Sequence, residues 1–183
     1  MKTPKKTMTW LLAAAVGACA TLPGALRAVP TNDAPEQIGV YDSRVVAYAW
    51  FTSEAHMRAL QNRIQTARAA KAAGETNRFR ALSAELAHEQ MEGHLEVFGS
   101  ATPTNALTAL KERLPLILQK CGATALVSKW DEDTLKQHPN ARQIDLTDIL
   151  AGEFHPNDQQ RAMIASIKRA KPLSAREIIA AEP

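Results

Sequence analysis

Two apolar, strand-like runs, Ile38 to Tyr41 and Ala123 to Ser128, lie about eighty residues apart, and the sequence between them is patterned as helix. That order constrains the chain to a mostly helical α+β fold, with helices rooted in a small sheet. Strands this short do not stand alone, because a two-stranded ribbon is marginal in water. The root must therefore be completed by further strands or by other copies of the chain, which makes assembly the first expectation and catalysis a distant one.

The segment 1–28 reads as an export signal. Lys2, Lys5 and Lys6 give a basic start, and Met8 to Ala20 form an apolar run of thirteen residues, too short to span a bilayer as a helix. Ala18-Cys19-Ala20 supplies a small-x-small cleavage pattern, so a cut after residue 20 and a later cut near Ala28 both fit. Val16-Gly17-Ala18-Cys19 also has the outline of a lipobox, in which Cys19 would carry a lipid anchor. That anchor would be the only route to the membrane.

Export changes the meaning of the charge. The chain is +3 overall, but Lys2, Lys5, Lys6 and Arg27 all precede Ala28 and no acid does, so the chain from Val29 onward is −1. The basicity belongs to the leader, and a nucleic-acid partner loses its electrostatic basis. With Cys19 removed or acylated, Cys121 is left alone, so no internal disulfide forms and stability rests on packing or assembly. About 155 residues suffice for one domain.

Residues 29–37 form a polar, aperiodic leader with Pro30, Asn32, Asp33 and Pro35. After the strand at Ile38, Asp42 is placed to cap a short helix through Tyr48, and Trp50 and Phe51 extend the densest aromatic cluster of the chain. From residue 52 to 98 the period becomes helical. Met57, Leu60, Ile64 and Ala67 recur at three- and four-residue spacings, and Phe79, Leu82 and Leu86 continue the rhythm beyond Gly74, the natural turn. The step from Leu86 to Met91 breaks the register near Gly93.

Charge pairs the two arms. Glu54 opposes Arg58, Arg63, Arg68 and Lys71 in the first, whereas Glu75, Glu85, Glu89, Glu92 and Glu96 oppose Arg78 and Arg80 in the second, a net three charges of opposite sign on each. Folding antiparallel about Gly74 predicts Arg63 level with Glu85, and Arg58 level with Glu89 or Glu92. Each exposed pair contributes only about 0.2–1 kcal/mol, but together they disfavour other pairings. Arms of about 22 residues reach roughly 33 Å and leave much of each helix wet unless a neighbour or client covers it.

Thr102-Pro103 opens a further helix carrying Leu107, Leu110, Leu114, Ile117 and Cys121, which Pro115 should kink and Gly122 should end. Asp131-Glu132-Asp133 reads as an acidic turn, and Arg142 to Leu146 as a short third strand. Asp145 or Thr147 caps a brief helix to Gly152. Asn157 to Gln160 and Ser174 to Glu177 resemble capping boxes, so residues 155–183 form a helical extension.

Ile38-Gly39-Val40-Tyr41-Asp42, Thr124 to Ser128, and Ile144-Asp145-Leu146-Thr147-Asp148-Ile149-Leu150 resemble the opening and closing segments of the Skp/OmpH family of periplasmic chaperones. The likeness covers residues 38–154. It implies a homotrimer whose β-rich body, with Ile38, Val40, Leu126 and Val127 at the interface, carries helical tentacles that shield unfolded outer-membrane proteins. The arms are shorter than the family's and lack its strongly basic character, so a smaller cage that holds smaller clients or none is implied.

No residue set supports chemistry. His88, Glu92 and His94 share too little of a helix face to make the three convergent ligands a metal needs, and His56, His138 and His155 stand isolated. No serine lies in a Gly-x-Ser-x-Gly elbow, and the eight glycines form no phosphate loop. Cys121 continues an apolar repeat and reads as a small core residue. No catalytic residue, cofactor or metal is expected. The expected activity is an ATP-independent holdase binding unfolded envelope proteins through Met57, Leu60, Ile64, Phe79, Leu82 and Leu86, insofar as the arm seam leaves them free. The alternatives are an envelope structural or adaptor protein, anchored if Cys19 is acylated, and a metal protein or enzyme built around His88 and Glu92.

Overall fold

The computed structural model describes residues 35–181; the segment expected to act as an export signal, with the two cleavage positions expected in it, Cys19 and most of the polar leader lie outside the described residues. The chain is mostly helical around a small parallel sheet. Its elements run β1 (Gln37–Tyr41), α1 (Ser43–Phe51), α2 (Glu54–Ala72), α3 (Thr76–Val97), α4 (Thr104–Ala109), α5 (Leu114–Cys121), β2 (Ala125–Ser128), α6 (Glu132–Lys136), β3 (Arg142–Asp145), α7 (Thr147–Gly152), α8 (Asp158–Arg169) and α9 (Ala175–Ala181). No described helix is long and apolar enough to cross a membrane.

The sheet order is β2-β1-β3, all parallel, with Gly39 opposite Leu126 on one side and Ile144 on the other. Parallel neighbours need long crossovers. That requirement places α1 to α5 between β1 and β2. Gly39 sits in the central strand because a Cβ there would run into Leu146 Cδ1, so its absence lets Leu146 close over the sheet. On that face Tyr41, Leu146 and Leu150 pack with Val46, Ala106, Leu110 and Ile117, and Leu126, Ile144 and Cys121 join from the edge. Arg142, Gln143 and Asp145 leave the β3 edge polar and exposed, which discourages further strand pairing.

Helix α1 is the hub, touching α2, α3, α4, α7 and α8. Its residues Ser43 to Ala47 and Ala49 are all buried, as befits a helix packed on most sides. Asp42 starts it by accepting from the Arg44 amide at 3.2 Å, and Ser53 starts α2 by accepting from the His56 amide at 3.3 Å. Gly74 has φ +72° between α2 and α3, and the two helices pack on each other; nothing lies within 4 Å of a Cβ built there, so the backbone conformation rather than space requires glycine. Ala67 and Ala70 are buried in that contact, bringing the two helix backbones close near the turn.

Four expectations change. The arm pairing is shifted by one turn: Arg63 Nη2 lies 2.6 Å from Glu89 Oε1 and 2.5 Å from Oε2 rather than beside Glu85, and Arg58 pairs with Glu54 of its own helix. Met57 is 42 % exposed, whereas His56 is 6 % exposed and takes the buried place in the seam. Pro115 opens α5 instead of kinking one long helix, since a first-turn amide has no intrahelical partner to lose. The acidic turn is the start of α6, with Asp131 accepting from the Thr134 amide at 3.0 Å.

The C-terminal helices fold back onto the body. Asn157 and Gln160 form a reciprocal capping box on α8, and Gln160 also donates to the Thr52 carbonyl at 2.7 Å. Leu173 donates its amide to the Phe98 carbonyl at 2.8 Å, and α9 buries Ile178 beside Gly99 at the base of α3.

Candidate functional site

Two groups of buried polar residues stand out, and they differ in how well they are satisfied. The first lies at the carboxyl ends of the strands. Asp42, 1 % exposed, accepts from Arg44 Nε at 3.1 Å and Nη2 at 3.0 Å and from Trp130 Nε1 at 3.0 Å, and pairs with Lys129 Nζ at 2.8 Å. Arg44 in turn donates to the carbonyls of Ile167 and Ala170 at 3.0 Å, capping the end of α8, while the Trp130 ring lies 4.7 Å below its guanidinium. The Asp42 amide donates to Thr147 Oγ1 at 2.9 Å. Burial works to raise the Asp42 carboxyl, but hydrogen bonds from Arg44, Lys129 and Trp130 hold it below the usual carboxylate range. In open parallel sheets this end commonly receives a ligand. Here the chain's own Arg44 and Trp130 fill it.

The second group lies at the root of the arms, where the end of α1, the first turns of α2 and the last turns of α3 meet. Two clefts flank the seam. One, of about 390 Å³, is lined by Phe51, His56, Leu60, Ile64, Leu86, Glu89, Gln90, Gly93, His94, Val97 and Phe98. The other, of about 380 Å³, is lined by Trp50, Ala55, His56, Ala59, Arg63, Glu89, Glu92 and Asn105. His56 and Glu89 are the wall between them.

Local sequence explains the opening. Ala67 and Ala70 close the seam near Gly74, whereas toward the root Phe51 is inserted against Gly93, where a Cβ would lie 3.1 Å from Phe51 Cζ. The missing side chain admits the ring, and the two helices bracket the cleft. The His56 imidazole meets Phe51 edge-on at 5.0 Å between ring centroids and Trp50 at 5.5 Å. Neither ring nitrogen has a hydrogen-bond partner among the described residues. Burial pushes the imidazole below its ordinary range; Glu89 opposes that shift and Arg63 adds to it, so the neutral form prevails near pH 7.

Deeper at the same root, Glu96 is 6 % exposed, with Oε1 accepting from the Thr104 amide at 3.2 Å and Oε2 without a partner among the described residues. Burial pushes its carboxyl up to about 7, against the Thr104 hydrogen bond and with help from Glu92. Trp50 Nε1 is also buried and unpartnered there, its ring 5.6 Å from Phe154.

Of the six seam residues named from the sequence, Leu60, Ile64 and Leu86 line the first cleft, Phe79 and Leu82 are half-buried outside it, and Met57 is exposed. Ile38 and Val127 are buried within the single chain, and Val40 and Leu126 are half-buried. Cys121 is a half-buried free thiol against the core. His88 Nε2 lies 3.3 Å from Glu92 Oε1 on an exposed face, and no cluster of three or more His, Cys, Asp or Glu suited to a metal occurs among the described residues. Sequence reasoning passed over His56, Glu89, Val97 and Phe98 as site residues. The available signal was spacing, since His56 precedes Leu60 by four residues and Ala67 by eleven and so shares their face. No family model matches the chain, and no curated protein or solved structure does either.

Proposed function

We propose that this is an exported, self-associating and ATP-independent holdase, in which an antiparallel helical hairpin of the Skp/OmpH type stands on a small sheet body and holds unfolded envelope proteins at its root. The observation that carries the reading is the apolar cleft of about 390 Å³ between α2 and α3, left open where Phe51, Leu60, Ile64 and Leu86 meet. Its size and lining suit one or two apolar side chains of an extended chain. Each such contact is weak, and several copies acting together supply avidity. Phe98, 48 % accessible, lines the cleft and carries its apolar surface out to solvent.

A purified, exported preparation added to an outer-membrane protein diluted out of urea tests this by light scattering. Suppressed aggregation at a few-fold molar excess, without nucleotide, is the expected result. Unchanged scattering at large excess rejects the holdase reading and leaves the structural or adaptor alternative.

A further inference from the structure

We infer that the arm-root cleft selects a tyrosine or tryptophan side chain presented by an extended polypeptide, with His56 as its polar contact. The inference rests on the holdase reading and names the side-chain class that reading leaves open.

An apolar cleft alone would favour leucine or phenylalanine. This one has a single buried imidazole in its wall, with both nitrogens unpartnered among the described residues and its ring fixed between Trp50 and Phe51. Glu89, whose Oε1 accepts from Arg63 Nη2 at 2.6 Å and whose Oε2 lies 2.5 Å from the same nitrogen without making a hydrogen bond, gives His56 no hydrogen bond either. A phenylalanine or leucine entering the cleft would cut His56 off from water and leave it unpaired, a cost that opposes binding. Tyrosine and tryptophan bring the same apolar bulk with one polar tip. A neutral imidazole has one donor and one acceptor nitrogen, so it accepts from the tyrosine hydroxyl or the tryptophan N–H, or donates to the hydroxyl oxygen. Lysine and glutamate are disfavoured, because most of the lining side chains are apolar and would strip their charge of water.

The test is calorimetric titration of the full chain with Gly/Ser-rich peptides that differ at one central residue. Tyrosine and tryptophan peptides should bind about three- to tenfold tighter than the phenylalanine peptide, the range a single net hydrogen bond supplies. His56→Leu should bring that ratio to about one. The amide of N-acetyltyrosine, lacking neighbouring residues, should bind more weakly than the tyrosine peptide. Phenylalanine equal to or tighter than tyrosine in the wild-type chain overturns the inference without any variant having to fold, as does a ratio unchanged in a folded His56→Leu chain. The free amide matching the peptide overturns the polypeptide as occupant. If aggregation is suppressed while the peptides are not discriminated, the holdase reading survives and the aromatic assignment fails; discrimination without suppression does the reverse.

Discussion

The strand-end cluster and the arm root bury similar chemistry to opposite ends. At the strand ends, the Asp42 carboxylate is engaged by Arg44, Lys129 and Trp130, and Arg44 carries its remaining donors to the end of α8. At the arm root, one oxygen each of Glu89 and Glu96 and the Trp50 N–H are buried without hydrogen-bond partners among the described residues, and the ring of the buried His56 makes no hydrogen bond to them. A satisfied network fixes one structure, because removing any member exposes the rest as unpaired charge. An unsatisfied one forgoes stability, and such sites are where function is commonly found. The first cluster reads as the lock that joins the sheet to the C-terminal extension, the second as the place kept ready for a ligand.

The largest effect should come from breaking the satisfied side. Arg44→Ala leaves Asp42 buried with Lys129 as its only cation and frees the end of α8, and should cost about 3–5 kcal/mol in urea unfolding. A loss below about 1 kcal/mol would erase the contrast between the two regions. On the other side the sign reverses. Glu96 is protonated in the folded chain up to about pH 7 but only up to about 4.5 when unfolded. Its contribution is fully present below pH 4.5 and is lost as the pH rises through 7, so Glu96→Gln should stabilise the chain at pH 8 by on the order of 1–3 kcal/mol and hardly at all at pH 4. Melting curves across that range measure both.

His56 acts on the acid side. Its folded value lies below the ordinary 6.5, so the unfolded chain binds the extra proton and stability is lost as the pH falls below 6.5. The same melting series on a folded His56→Leu chain should lose that acid-side slope while keeping the one due to Glu96. The smallest effect belongs to the partly exposed bridge between the arms: Arg63→Gln should cost only about 0.2–1 kcal/mol, and less in high salt.

Regular elements were legible in the sequence where local chemistry dictates them. The strand at Ile38, the cap at Asp42, the turn at Gly74, the stop at Gly122 and both C-terminal capping boxes follow from residues that act on their own backbone. Longer-range features were not. The shift from Glu85 to Glu89 as the partner of Arg63 depends on how Phe51 and Gly93 set the helices against each other, which periodicity within one helix does not encode. Likewise, the seam was assigned to Met57 because methionine is apolar, but the aromatic pair Trp50 and Phe51 supplies surroundings that bury the more polar His56 instead. Both of these departures fall in the arms, where tertiary packing overrules pattern.

The account stands on clients entering the seam at its root rather than clinging to the outside of the arms. Photocrosslinking from a reactive residue at Ile64, in the cleft, against one at Ala69, exposed on α2, tests that directly. Covalent adducts to an unfolded outer-membrane protein from position 64, with few from position 69, are predicted. Equal yields from both, or more from position 69, would contradict it.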